Sequence, residues 1–593
     1  MALIDQIIVF GYLLGALAVG LAVTRKASSS SEEYFLAGRS LPWWLAGTSI
    51  VATTFAADTP LAVTGLVASG GIAGNWIWWC WGIAHVVAAV VFARYWRRLR
   101  VVTDAEIMEL RYAGPAAVAL RVTKTAYQAI FLNCLTMGWV ILAMRKVTLN
   151  LFPDQNPIHI TFGLMALAVT YSVLGGMRSV VLTDLAQFIL AMIGAALLLI
   201  YVLQAPEIGG ISGLLTQLEQ TYPENSESFL SFFPTGDLPD MPIFLFAVLM
   251  TVGWWRQAEG MGYIVQRIGA TKSPRDAEQA SIWFAVLHNA IRPWPWILVA
   301  LAALVIWPLG SVPDAGPCTS ALISCPAGFS CSDAICVFDR EATYATLLVE
   351  KLPPGALGIV LISLLAAFMS TIDTHVNWGA SYLVRDIWQR FVSPDTPPRQ
   401  EVLVGRIGVV IMALLAAGLS LKMNSIVSVW VFLLTLGSGL GSVAIARWLW
   451  WRVNAVAELA ALITSTALAI WVVYADIGRA EGILWVAFGS LAIWLPLAIF
   501  GRPTPMERLD TFYQKARPAG AWGPIAARNP HINSALEKGV GLRLLAGLCA
   551  VYGTLMGLGG LILRPQTWIW ASLLVGGISA FTWLLIRAKT DPE

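Results

Sequence analysis

The chain has 593 residues, 58% of them hydrophobic and 12% charged, with a mean hydropathy of +0.71. Soluble domains carry about a quarter of their residues as charge, so this composition excludes an ordinary water-soluble protein. The net charge of +3 is scattered loop by loop and offers no basic face for nucleic acid.

Apolar runs recur at about 20 residues, the length that crosses about 30 Å of hydrocarbon as a helix. Lipid leaves no partner for free backbone polar groups, so these runs are helices and the fold class is an all-α polytopic membrane protein. Fifteen spans are expected, at 3–23, 43–70, 75–95, 118–147, 158–176, 180–205, 241–265, 282–307, 355–384, 402–422, 425–450, 455–475, 483–500, 542–563 and 567–587. The first lacks a basic leader and is followed by Arg25 and Lys26, which argues for a retained helix with its N-terminus outside. Threaded that way, most of the 38 Lys and Arg residues fall in the cytoplasm, including Arg94, Arg97, Arg98 and Arg100 and the basic 501–541 loop. The C-terminus is then cytoplasmic, and the expected location is the inner (plasma) membrane.

The second span contains TSIVATTFAADTPLAVTG, residues 48–65, where Asp58 and Pro60 interrupt an apolar run. Proline removes a donor and is expected to free the carbonyl around Ala56. A broken helix at mid-membrane presents carbonyls to a small cation; the alternative is a plain kink with a buried Asp. Asp184 opens the sixth span, either as an interfacial carboxylate at a helix N-terminus or as an acid reaching inward. In GWWRQAEGMGYIVQR, residues 253–267, Arg256 and Glu259 are spaced to neutralise each other at i, i+3. Trp254 and Trp255 offer apolar walls for a solute, and His288 and Arg292 lie one turn apart on the next span.

The polar stretch GPCTSALISCPAGFSCSDAIC holds four of the seven cysteines: Cys318, Cys325, Cys331 and Cys336. The topology places it outside, where two disulfides persist; without a CxxC pair, zinc is the weaker reading. Cys80, Cys134 and Cys549 read as small core residues. Further on, Ala367, Ser370 and Thr371 share one helix face, and Ser370, Asp373 and Thr374 form a second i, i+3, i+4 set. Hydroxyls, carbonyls and a carboxylate are a hard ligand set suited to sodium. Many of the 27 tryptophans, among them Trp43, Trp44, Trp448, Trp450, Trp451, Trp568 and Trp570, lie near span ends and read as an interfacial belt. No Gly-rich phosphate loop, metal-ligand pair or sustained heptad stands out.

Five stretches in order, SSSSEEYFLAGRSLPWW (28–44), VTDAEIMELRY (102–112), GGMRSVVLTDLAQF (175–188), YIVQRIGATKSPRDA (263–277) and LAAFMSTIDTHVNWGASYLVRDIW (365–388), resemble the sodium/solute symporter family. The resemblance implies a leucine-transporter-type fold with a 5+5 inverted-repeat core. Its first repeat would be 43–205 and its second 241–450, the latter including the 308–345 loop. Around these lie an N-terminal extra helix and loop (1–42), an external segment (206–240) and additional C-terminal helices (451–593). It further implies a sodium site built from carbonyls of Ala52, Phe55 and Ala367 and hydroxyls of Ser370 and Thr371. A second cation site would use Asp184, Asp373 and Thr374 with Ser370; Asp373 replaces the hydroxyl usual there and would hold sodium or a proton. Asp58 and Thr59 match an acidic-amide pair and His288 a solute-contacting lysine, so these join Trp254 and Trp255 as the expected solute site. The implied function is sodium-coupled import of a small organic solute, a sugar or related polar metabolite, by alternating access. Sodium is the coupling ion, no organic cofactor is implied, and the partners are solute, sodium and the lipid bilayer. The alternatives are proton-coupled symport, a solute sensor on the same fold, and a membrane-embedded transferase using Asp58 and His288. Solute identity, sodium number and oligomeric state are not set by the sequence.

Overall fold

The computed structural model describes residues 1–27, 31–318, 325–332, 334–532 and 539–590. Ser28, Ser29 and Ser30 of the 28–44 stretch, and parts of the 308–345 and 501–541 loops, therefore lie outside the described residues. Among the described residues, eleven helices are long and apolar enough to cross a membrane; a bent pair and three shorter apolar helices add to them. That set is compatible with fifteen crossings. The outer faces suit lipid: Leu182, Ile189, Ile193 and Ile200 of one helix are all exposed, at spacings that form a stripe.

Two expected boundaries differ. The runs 158–176 and 180–205 join in one helical segment, Pro157–Leu203, because helical backbone continues through Gly175 and Gly176 where a loop was expected. At 1.5 Å per residue its 47 residues would extend roughly 70 Å, about twice the hydrocarbon thickness, so it supplies two crossing-length segments. The run 241–265 is instead interrupted. Ile243–Val248 passes through a π-helical turn, Leu249–Gly253, and a 3-10 turn, Trp255–Gln257, before a fresh helix at Tyr263–Ala270.

The bent pair is Trp43–Thr53 and Asp58–Gly70, set at 60°. Pro60 lies in the first turn of the second piece, where its missing N–H removes no helical bond, and Asp58 suits the positive end of that helix. The Ala56 carbonyl is not freed as expected, since the Thr59 N–H donates to it at 3.2 Å. At the other interruption Gly260 and Gly262 have φ of 69° and 61°. A Cβ on Gly262 would also come within 2.7 Å of the Trp378 ring, so both backbone and packing require glycine there.

Both pieces of the bent pair pack against Ala356–Tyr382, Pro157–Leu203 or Trp294–Ile306, which together surround the break. On one flank of the bundle, Glu341 accepts from the backbone N–H groups of Ile426 and Val427, capping the helix Ile426–Leu449. Lys146 donates to Glu341 at 2.7 Å and pairs with Asp339 at 2.6 Å. Burial pushes the Glu341 carboxyl up, but Lys146 and the two N–H groups outweigh it and hold it below the usual glutamate value.

The four-cysteine loop forms two disulfides, Cys318–Cys331 and Cys325–Cys336, around a hairpin of Phe329–Ser332 and Ile335–Phe338. Cys80 and Cys134 are buried as expected, whereas Cys549 is exposed on the outer face of its helix. The segment 206–240 is not featureless, since it carries the helices Gly210–Thr221 and Ser226–Leu230.

Candidate functional site

The two interruptions open onto one cavity of about 150 Å³. Asp58, Thr59 and His288 line it, as the sequence suggests, together with Thr53, Thr54 and Thr371. His288 sits in a π-helical turn, Leu287–Ile291, and its Nδ1 lies 2.9 Å from Thr54 Oγ1. Asp58 is 3% exposed and its Oδ1 has no hydrogen-bond partner among the described residues. An acceptor buried in that state costs free energy unless a ligand or water reaches it.

Trp254 and Trp255 do not line this cavity. The Trp254 indole donates to the Met250 carbonyl at 3.1 Å, and Trp255 lies against Gly441. The tightened 3-10 turn directs their neighbours Arg256 and Gln257 into the cavity instead. The aromatic walls come from other elements, including Trp78, Trp139, Trp378 and Trp430. Nor do Arg256 and Glu259 neutralise each other. With the helix interrupted between them, Glu259 pairs with Arg447 and accepts from the Trp448 indole at 2.6 Å. Trp448 is accordingly fully buried rather than interfacial.

The residues of the first expected cation site meet where the bent pair approaches Ala356–Tyr382. Thr371 Oγ1 donates to the Thr53 carbonyl at 2.9 Å and lies 3.1 Å from the Ala367 carbonyl. The Ala52 carbonyl accepts from the Phe55 N–H at 3.0 Å, and the Phe55 ring turns away to meet Trp296 edge-on. Ser370 is one residue from Thr371 but its hydroxyl donates to Asp184 Oδ1 at 2.5 Å. That bond joins the two expected sites into one buried polar cluster.

Asp184 Oδ2 accepts from Ser49 at 2.5 Å, and Thr374 Oγ1 lies 2.9 Å from Thr53 Oγ1. Between them stands Arg267, fully buried, whose Nη2 donates to Thr374 at 2.6 Å and lies 3.7 Å from Asp184. Sequence reading passed over Arg267 although it falls in a quoted stretch. A charged residue in an apolar segment with no acid one turn away needs a distant partner, and that rule would have linked it to Asp184. Asp373 is also fully buried: Ser172 donates to its backbone carbonyl at 3.5 Å, and it lies within electrostatic range of Tyr12, Tyr34 and Arg267.

Residues 34–465 match the family model described as the sodium:solute symporter family. The chain belongs to that family. Its members are transporters, not enzymes, and sodium is their coupling ion. A sodium/glucose cotransporter of Vibrio parahaemolyticus is 27% identical over 422 residues, covering 70% of this chain and 74% of the relative. Sodium/glucose cotransporter 4 of Danio rerio is 25% identical over 439 residues, covering 70% of this chain and 62% of the relative. Sodium/myo-inositol cotransporter 2 of Oryctolagus cuniculus is 26% identical, covering 68% and 59%. The chain thus spans only about three fifths of the length of these two animal relatives. The fold is that of a substrate-bound, outward-open Na+-coupled sialic acid symporter: TM-score 0.66, 20% identity, covering 85% of this chain and 99% of that one. The core is of the leucine-transporter type and the location is membranous, as the composition required.

Proposed function

We propose that this protein couples the inward movement of sodium to uptake of a small polar organic solute by alternating access. The observation that carries this reading is the bond from Thr371 to the Thr53 carbonyl, which ties the broken helix to the helix holding the other hydroxyls. Sodium placed among the Ala52, Phe55 and Ala367 carbonyls and the Ser370 and Thr371 hydroxyls would strengthen that tie. It would thereby favour one orientation of the broken helix, and so of the cavity it lines. The solute then sits beside Asp58, Thr59 and His288. Names of relatives that carry glucose and myo-inositol support a hydroxylated solute.

We assign one sodium to the cycle rather than two. Arg267 already supplies positive charge to Asp184 and Thr374, so a sodium bound between Asp184, Asp373 and Thr374 would compete with a fixed guanidinium. The two inverted repeats, 43–205 and 241–450, would rock about the cavity, with the N-terminus outside and the C-terminus in the cytoplasm. Each charge carried inward gains about 2.3 kcal/mol per 100 mV of membrane potential. The test is uptake of labelled hexose, inositol and sugar-acid probes into proteoliposomes under an inward sodium gradient. Sodium-dependent accumulation of any one supports coupling. Accumulation driven by a proton gradient alone would move the role to Asp373, and saturable binding without accumulation would favour a sensor.

A further inference from the structure

The cavity is charged unevenly. Arg256 and Arg292 both line it, and Asp58 is the one acidic side chain among its lining residues. Buried charges are ordinarily matched by a partner, since an unmatched one costs several kcal/mol. Elsewhere in this bundle a buried guanidinium meets an acid or a pair of carbonyls: Arg447 pairs with Glu259 and Glu458, Arg121 with Asp386 and Arg267 with Asp184, while Arg111 donates to the Arg447 and Trp450 carbonyls at 2.7 and 2.8 Å.

Arg256 breaks it. Its hydrogen bonding among the described residues consists of one 3.5 Å contact from Nη1 to the Leu433 carbonyl, and its Nε has no partner. Among the described residues, no carboxylate lies within ion-pair distance of it. Arg292 is held by neutral groups, the His288 carbonyl at 3.1 Å, the Val51 carbonyl at 3.3 Å and Thr54 Oγ1 at 3.5 Å. The position of Arg256 is built rather than incidental. Its side chain lies against Gly437, where a Cβ would come within 2.0 Å of Cδ, so the opposing helix carries no side chain there. A guanidinium offers a planar fork that matches a carboxylate.

We infer that the cavity takes a small hydroxylated monocarboxylate, a sugar acid, rather than a neutral sugar, and that Arg256 is the group that selects it. With the histidines uncharged, two guanidinium groups against one carboxylate leave one net positive charge. A monoanionic solute cancels it before the cavity closes around the occupant. Gln257 and His85, 3.0 Å apart, and Thr59 also line the cavity and offer hydrogen bonds to hydroxyl groups. This inference rests on the symporter reading, and the two fail differently.

The experiment measures the thermal midpoint of the purified full chain in sodium chloride with D-glucuronate, D-gluconate, D-glucose or myo-inositol, since a ligand bound to the folded state raises that midpoint. At least one acid is expected to raise it, with glucose and inositol without effect at equal concentration. Arg256→Gln should weaken that acid roughly 10- to 150-fold while keeping the sodium shift. Gly437→Ala, which displaces the guanidinium without changing charge, should also lose the preference. The inference is overturned if neither acid raises the midpoint, if a neutral probe does so equally, or if Arg256→Gln retains the preference. Should that variant not fold, the four-probe comparison on the unaltered protein and Gly437→Ala decide it. Absence of a sodium-specific shift without any solute would instead count against sodium coupling itself.

Discussion

Thr371→Val is the sharpest perturbation the structure offers. Valine keeps the branched shape and deletes one hydroxyl, which lies 2.9 Å from the Thr53 carbonyl and 3.1 Å from the Ala367 carbonyl. Thr53 and Thr371 are each 2% exposed, so the acceptor left behind is a buried one. Leaving a buried acceptor short costs about 1–3 kcal/mol, a loss of stability present with or without sodium. A second loss is specific to the ion. In the proposed sodium site, deleting one of the five oxygen ligands at about 1.5–3 kcal/mol should raise the half-saturating sodium concentration roughly 10- to 150-fold. The assay is a sodium titration of the thermal midpoint at constant ionic strength, with choline replacing sodium. Thr371→Ser, which restores the oxygen, should recover most of the affinity. A Thr371→Val protein that is less stable in choline yet has an unchanged sodium half-saturation would refute the ligand role and leave Thr371 as a structural tie alone.

Three further outcomes are expected. Arg267→Met strands Asp184 in the core and should destabilise by about 3–5 kcal/mol; Arg267→Met with Asp184→Asn should lose clearly less than the two single changes summed, and strict additivity in thermal inactivation would show that the pair is not coupled. The Glu341 carboxyl is held below its unfolded value, so its stabilising contribution is full above the ordinary glutamate range and is lost as pH falls through the lowered folded value. Glu341→Gln should therefore lower the thermal midpoint at neutral pH and narrow its gap to the unaltered protein in acid; a gap constant across that window would show that the charge is immaterial. Alkylation of the denatured, unreduced chain should label three cysteines, Cys80, Cys134 and Cys549, and labelling after reduction should reach all seven, with more than three before reduction contradicting the two disulfides.

What was legible in the sequence follows from how local each determinant is. Span length, the break near Asp58 and the shared face of Ala367, Ser370 and Thr371 depend on spacing within one helix, and the helical period is fixed. The cysteine loop was legible for the same reason, its four thiols lying within one short segment. The solute walls were not. Trp254 and Trp255 are turned aside by a π-helical turn followed by a 3-10 turn, and a change of two residues in local period rotates every side chain beyond it. No hydropathy pattern announces such a change. Gly260 and Gly262 did mark the place, but not the direction in which the chain would leave it.

Charge pairing shows the same limit more clearly. The spacing of Arg256 and Glu259 suits an i, i+3 pair only if the helix between them is regular, and the interruption after Gln257 removes that condition. Glu259 then finds Arg447, 188 residues away, and Arg447 also takes Glu458. Arg256 is left in the cavity wall with a backbone carbonyl for company. A single break in a helix thus does two things at once: it builds a far-reaching ion-pair network that fixes the bundle, and it releases one guanidinium from structural duty. In a membrane protein, where an unpaired charge is expensive to keep, the residue that the network leaves out is the one whose partner is to be sought outside the chain.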